Sequence, residues 1–449
     1  MTRTVLAGLL ALATLLSGAR AQEAGAQSHP AALEALLARA ADHPAVLAAR
    51  AALDAAEAQL RAARSPVRLE VGSNLTQLDV DEIDLNPVEP GIQPLDRTLL
   101  NFSAGVTLRP FAFGDIADLV DQREVAVEQA RLDLRAALVS TQVRTLEAAY
   151  ELELARAGVA VAEEGAQLAA EALAATDVRA LRGAASEREL RDARSGLAEA
   201  ENLLLNAQEN AELAQMALAA LVPGDLPRVG TEAFDVPQPT GEPVDVIRAG
   251  LQVRLAELAP RGAMRALLPT AQASYSWNLG EHDTLSVGLE SRTLQPSVNF
   301  SHEAQGRTFP QTEIRGALTV GVSWAISPEA FESLSAAESQ LEAALLSLEA
   351  TAQGASLRAR ALTTAVTQAQ RAAALAADRL DDAQARLAET RARVDAGVAT
   401  PLELQSDSLS VTRAQVELRS ARLDVLRATL DLYELYALPI AFTTEADER

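Results

Sequence analysis

ETRARVDAGVATPLELQSDSLSVTRAQVEL, residues 389–418, is the stretch on which the fold turns. Gly397 closes a long, Ala-rich, apolar-periodic run, and three residues later Thr400-Pro401-x-Glu403 opens another. A hydroxyl at the N-cap and a carboxylate three residues on satisfy each other's orphan backbone donors. Pro401 occupies the first helical position, where a missing N–H costs nothing. The same device occurs in DVRALRGAASERELRDARSGLAEAENLLL, residues 177–205, with Gly183 at the turn and Ser186-x-x-Glu189 as the capping box. The two turns lie 214 positions apart, from 183 to 397, as do the two N-caps, 186 and 400. The chain therefore reads as a duplicated unit, each copy holding a very long helical hairpin.

Working outward, each hairpin is preceded by β-type alternation. In VRLEVGSNLTQL, Val67, Leu69, Val71 and Leu75 alternate with polar or small residues, and after an acidic, Pro-rich loop (Asp79 to Asp96) so do Phe102, Ala104, Val106 and Leu108. After FAFGD a proline-free helical pattern runs from about Ile116 to Val178. Roughly 60 residues at ~1.5 Å each make a rod of ~90–100 Å, a length found in coiled coils and helical tubes. In the second half AQASYSWNL reads as a strand and Ile314 to Trp324 as its partner. Between them Leu285, Val287 and Leu289, then Val298 and Phe300, suggest a hairpin extension.

The resulting layout is a signal peptide (1–21), a first repeat (22–221), a Pro/Gly-rich connector (222–243), a second repeat (244–440) and a tail (441–449). Strands are expected at about 66–78 and 98–110, then about 269–280 and 311–326. The helical hairpins are expected at about 115–221, with its tip near 179–186, and about 328–437, with its tip near 394–400. The fold class is mainly α with a small β part, built on a duplicated helix–strand–strand–helix–helix unit.

Composition narrows the function. Arg3, the apolar run Val5 to Leu16 and Ala19-Arg20-Ala21 have the form of a cleaved secretory signal, with the mature chain starting near Gln22. That run is short of the ~20 residues a spanning helix needs, and no other segment approaches it. With no cysteine, disulfides, thiol catalysis, cysteine metal sites and a lipobox-type anchor are not expected. The net charge is −23 and all 39 basic residues are Arg, a balance unsuited to nucleic acid, whose phosphates must be neutralised. His29, His43, His282 and His302 are scattered without ligand spacing, so no metal or other cofactor is expected. No nucleophile elbow, phosphate loop or paired-His motif argues for an enzyme.

Two expected strand pairs cannot close a barrel, and an open sheet edge in lipid leaves backbone groups unpaired at several kcal/mol each. If the strands enter a membrane, several chains share one barrel, its strands an even number. The other reading is a soluble β layer capping a coiled-coil spacer. Likewise the Ala-rich helices suit either a ring of hairpins enclosing a tunnel or a plain coiled coil.

In the order of these elements the chain resembles the TolC-like outer membrane efflux proteins. The resemblance covers about residues 30 to 440 and rests on several loose motifs in matching order. These are the ARSP and ALLP strand lead-ins (Ala63–Pro66, Ala266–Pro269), AGVATPLEL (Ala396–Leu404) and the closing LxxAxLDLYELYALP (Leu423–Pro439). It implies a homotrimer whose long hairpins form an α-barrel tunnel and whose four strands per chain join a shared twelve-strand β-barrel in outer membrane lipid. It implies localisation to the outer membrane and periplasm, with a periplasmic adaptor and an inner-membrane transporter as partners. The function implied is efflux or export of small molecules or proteins, against the alternative of a soluble envelope adaptor or spacer.

The resemblance also nominates residues. Family members close the tunnel tip with acidic side chains, which fall here at Glu189, Asp192 and Glu403, with Ser406 at the fourth position and Asp407 beside it. Capping alone explains the two glutamates; it does not explain Asp192. The family's Tyr and Arg partners would fall at Val394 and Ala399, where they are missing. Gly183, Gly397 and Val398 correspond to adaptor-contact positions, although Gly at a helix C-terminus is ordinary. Arg179, Arg182, Arg391 and Arg393 sit where the helix dipole favours cations. Tyr275, Trp277 and Trp324 suit either an interfacial aromatic belt or packing against a neighbouring element.

Overall fold

The computed structural model describes residues 29–78, 97–222, 236–237, 241–280, 282–303, 315–324, 326–396 and 398–440. The signal segment, the acidic loop at 79–96, most of the connector, Gly397 and the tail at 441–449 lie outside the described residues. In chain order the elements are α1 (His29–Ala40), α2 (Pro44–Ala63), β1 (Val67–Leu78), β2 (Arg97–Leu108), α3 (Asp115–Leu181) and α4 (Glu187–Leu221). They continue with α5 (Val244–Ala256), α6 (Leu258–Ala266), β3 (Thr270–Asn278), β4 (Asp283–Glu290), β5 (Pro296–Glu303), β6 (Gly316–Ser323), α7 (Pro328–Asp395) and α8 (Pro401–Tyr436).

Contacts divide the chain into two compact units that cut across the sequence repeats: 1–51, 132–247 and 351–449 form one, 52–131 and 248–350 the other. The first is helical. Its core gathers Leu33 and Leu36 of α1, Val139, Val143, Leu146 and Leu152 of α3, Leu218 of α4, and Leu426, Leu430 and Tyr433 of α8. The closing LDLYELYALP segment is thus a core-forming helix end, stopped by Ala437 in the left-handed region (φ 46°). Two buried hydroxyls in this unit are satisfied within their own helices, Thr145 by the Thr141 carbonyl (2.8 Å) and Thr429 by the Val425 carbonyl (2.8 Å).

Towards the tips α3 lies antiparallel along α8. Glu164 accepts from Ser408 (2.8 Å) and Thr412 (2.7 Å), and Arg427 pairs with Glu151. Arg379 pairs with Glu417 across the α7–α8 hairpin.

The second unit carries a six-stranded, wholly antiparallel sheet in the order β1-β2-β5-β4-β3-β6. The two strand pairs expected from alternation are present as β1–β2 and β3–β6. The hairpin extension pairs into the sheet as two further strands and separates those pairs. Every long helix of this unit joins the sheet at one end, where β1 and β3 begin and β2 and β6 finish. The β4–β5 turn also lies at this helix end.

Candidate membrane wall and helix-tip site

The registers assign every strand residue to a face. Val67, Leu69, Val71 and Leu75 of β1 align with Leu108, Val106, Ala104 and Leu100 of β2. Val106 and Ala104 align in turn with Val298 and Phe300 of β5, and these with Val287 and Leu285 of β4. The row continues through Tyr275 and Trp277 of β3 to Leu318, with Val320 and Val322 beside it on β6. This face is exposed and apolar: Val71 is 78 % and Val322 70 % accessible. The opposite face holds Glu70, Asn74, Ser103, Asn299, Ser301, Ser286, Ser274 and Thr319, with glycines among them. Among the described side chains, one face apolar but for Ser73 and the loop-end pair Asp283 and His302, the other polar and mostly small, in phase over six strands, is the lipid-out, lumen-in pattern of a membrane barrel wall. A soluble layer would bury its apolar face.

Aromatic side chains mark both ends of the apolar face. Trp277 sits one residue from the loop end of β3, with Tyr275 edge-on to it (centroids 4.4 Å apart). Tyr275 lies so close over β6 that a Cβ on Gly316 would come within 2.3 Å of its hydroxyl, which explains the glycine there. At the helix end Trp324 donates its indole N–H to the Leu267 carbonyl (2.9 Å), within the ALLP lead-in. Phe111 and Phe113 are exposed beside this end, an aromatic pair absent from the residues that the sequence nominated. His282 and His302, far apart along the chain, meet at the loop end with ring centroids 5.9 Å apart, and His302 pairs with Asp283 (2.7 Å).

At the first tip Gly183 has φ +72°. Its N–H donates to the Ala180 carbonyl (2.9 Å) and the Ala184 N–H donates to the Arg179 carbonyl (2.8 Å), a Schellman closure. Glu189 N–H then donates to Ser186 Oγ (3.2 Å), while Ser186 N–H (2.6 Å) and Oγ–H (2.9 Å) donate to the Glu189 carboxylate. Arg179 donates to the Ala184 carbonyl (3.3 Å) and reaches 3.7 Å from Glu189. The backbone N–H and then the hydroxyl of Ser186, followed by the Arg179 charge, hold the Glu189 pKa below the ordinary carboxylate value. Arg179, read from sequence only as a dipole partner, is therefore also a clamp on the tip loop.

The second tip repeats the plan. Val398 N–H donates to the Arg393 carbonyl (2.8 Å), Glu403 N–H to Thr400 Oγ1 (3.2 Å), and Thr400 N–H to the Glu403 carboxylate (3.0 Å). Val398 is 70 % accessible. Asp192 projects from the first turns of α4, 3.9 Å from Arg188, both largely exposed. Asp407 is half-buried in a groove between α7 and α8, lined also by Arg379, Asp382, Arg386, Arg413 and Glu417. That groove carries three arginines against three carboxylates, Asp407 among them, an environment the spacing did not reveal.

Residues 36–224 match the family model described as outer membrane efflux protein. No curated protein matches the chain. Solved structures match it over nearly their whole lengths. The outer membrane protein VceC of Vibrio cholerae aligns with a TM-score of 0.65 at 19 % identity, covering 91 % of this chain and 96 % of that one. The CmeC outer membrane channel of Campylobacter jejuni aligns at 0.65 with 15 % identity, covering 93 % and 88 %. The MtrE outer membrane channel of Neisseria gonorrhoeae, solved in its open state, aligns at 0.62 with 17 % identity, covering 90 % and 89 %. The chain shares the fold of these outer membrane channels, and its first half carries the match to the efflux-protein family model. At these identities the structural likeness speaks for the fold.

Proposed function

We propose that the chain is one subunit of a homotrimeric outer membrane channel-tunnel for efflux or export, made with a cleaved signal peptide and reaching into the periplasm. The observation that carries this reading is the sheet, with an apolar outer face, a polar inner face and, among the described residues, two unpaired edges. Six antiparallel strands leave edges β1 and β6 running in opposite directions, so β6 of one copy meets β1 of the next antiparallel. Closure into a ring then pairs every backbone group that lipid would otherwise leave unsatisfied. No helix among the described residues is long and apolar enough to cross a membrane, so the sheet is the element suited to doing so.

The helices continue the conduit. Their tips present Gly183, Val398 and the Gly397 position to a periplasmic adaptor, which links the tunnel to an inner-membrane transporter that supplies the energy. Glu189, Asp192, Glu403 and Asp407 form the acidic approach to the tip. Carboxylates ~8 Å apart repel by about 0.5–2 kcal/mol per pair, which draws cations in and favours opening. The channel's task is passage, for which none of these side chains needs to act as a catalyst. Tyr275, Trp277 and Trp324 seat the wall at the two membrane interfaces.

Reconstitution of the purified trimer in planar bilayers tests the proposal. Discrete, cation-biased conductance steps are expected. A stable monomer in detergent that never conducts would overturn it and favour a soluble spacer.

A further inference from the structure

Resting on that channel reading, we infer that the shared barrel has eighteen strands, because the β4–β5 hairpin is a part of the membrane wall. The hairpin does not hang from the loop end. It leaves β3 at the loop end, crosses to the helix end as β4, turns at 291–295 and crosses back as β5. On one side β5 is registered with β2 from Ser297–Thr107 to Glu303–Asn101, and on the other β4 is registered with β3 from Glu290–Gln272 to Thr284–Asn278. Its own alternation is in phase with both neighbours. Leu285, Val287, Leu289, Val298 and Phe300 continue the apolar face, while Thr284, Ser286, Ser297, Asn299 and Ser301 continue the polar one. A hairpin outside the membrane would need no such phase.

Two further contacts fit the hairpin to its place. On the polar face Gly105 of β2 leaves room for Asn299 of β5, whose side-chain oxygen would stand 2.2 Å from any Cβ added there. At the helix end Ser291 N–H donates to the Ala271 carbonyl (2.8 Å), and the Ala271 N–H donates to Ser291 Oγ (2.9 Å). Arg292 meets Asp115 at 2.7 Å, and its carbonyl rests against Gly114.

Six strands per chain in three copies give eighteen. At ~4.8 Å between strands and a tilt of ~40°, a twelve-strand barrel is about 24 Å across its backbone and an eighteen-strand barrel about 36 Å. The membrane passage is therefore about 1.5 times as wide as four strands per chain would make it. Its lining is mostly small hydroxyl and amide side chains, with Glu70 and Arg68 paired on β1 (2.6 Å). Such a wall suits bulky polar cargo and offers little charge selectivity of its own.

The absence of native cysteine makes the test clean. The full chain carrying V106C and V298C, reconstituted as conducting trimers, is treated with a short bifunctional thiol reagent. Efficient cross-linking within one chain is expected. A V106C/A273C chain should cross-link poorly, because three strand spacings, about 14 Å, separate β2 from β3. The reverse result in conducting trimers would overturn the eighteen-strand wall and leave the channel reading intact. Cross-linking at 106–298 in a chain that neither trimerises nor conducts would instead remove the channel and the barrel with it. Electron cryomicroscopy of the trimer in nanodiscs supplies a direct count, eighteen supporting the inference and twelve refuting it.

Discussion

Two glycines with positive φ begin two of the long-helix hairpin arms, and their surroundings could hardly differ more. Gly114 (φ +59°) turns β2 into α3, and Gly183 (φ +72°) turns α3 into α4. At Gly114 an added Cβ would stand 2.1 Å from the Arg292 carbonyl oxygen; at Gly183 nothing lies within 4 Å. Asp115 and Asp118 after Gly114 are bound by Arg265, and Asp115 also by Arg292. The turn after Gly183 is held by its own short-range bonds and one arginine. The junction is therefore built as a joint and the tip as an exposed end. That is the division expected if the first anchors a membrane wall and the second meets a partner.

The largest expected effect tests this contrast directly. In G114A the left-handed backbone costs about 1–2 kcal/mol, and the clash with backbone adds a further ~1–3 kcal/mol. G183A meets only the same conformational cost, about 1–2 kcal/mol. Thermal unfolding of the detergent-solubilised trimer should show G114A well below wild type and G183A closer to it. Equal losses would mean that the junction yields as easily as the tip.

Next in size are the caps. S186A and T400A each remove one side-chain acceptor and loosen the reciprocal carboxylate, at about 1 kcal/mol apiece. The first cap should also depend on pH. Because the Glu189 pKa is lowered in the folded chain, its stabilisation is complete above the ordinary carboxylate value and is lost as pH falls through the lowered one. Glu147 of α3 has the opposite sign. Burial first, then Asp431, Glu151 and Glu434, outweigh Arg427 and raise its pKa, so its cost at neutral pH is relieved as pH falls. On acidification the protection of the Leu190 amide, measured against its intrinsic exchange rate, should therefore fall, while that around Glu147 should not. Loss of protection at both together would dissolve the distinction between tip and core.

How much of this was legible in sequence follows the range of each contact. The capping boxes span three residues, so Ser186–Glu189 and Thr400–Glu403 read as pairs from spacing alone. Strand alternation is equally local, and even the β4–β5 hairpin displayed it. What alternation cannot carry is partnership, because nothing near Val298 says that it faces Val106. The extension was therefore visible as strands yet not as wall. The candidate site divides in the same way. Arg179 reaching Glu189, Arg292 under Gly114, His282 beside His302 and Asp407 in its groove of mixed charge are consequences of packing. Phe111 and Phe113 are different, since their two-residue spacing beside a strand end was in plain view.

The smallest effect concerns the two tips themselves. They share the closure and the capping box, yet only the first has a cation on its capping glutamate among the described residues, Arg179 at 3.7 Å from Glu189. Arg179 is 58 % and Glu189 51 % accessible, so solvent screens the pair, which leaves it little to contribute to stability. R179A should thus leave folding and trimer assembly unchanged. It also removes the bond to the Ala184 carbonyl, and with it the one clamp the second tip does not reproduce at Glu403. In wild type the Ala184 amide should exchange more slowly than the Val398 amide, its counterpart 214 positions on. In R179A the two rates should converge, because what remains at each tip is the same closure and the same box. A difference that survives the substitution would trace the asymmetry to the residues around the loop, Ala184-Ala185 against Val398-Ala399, rather than to the arginine.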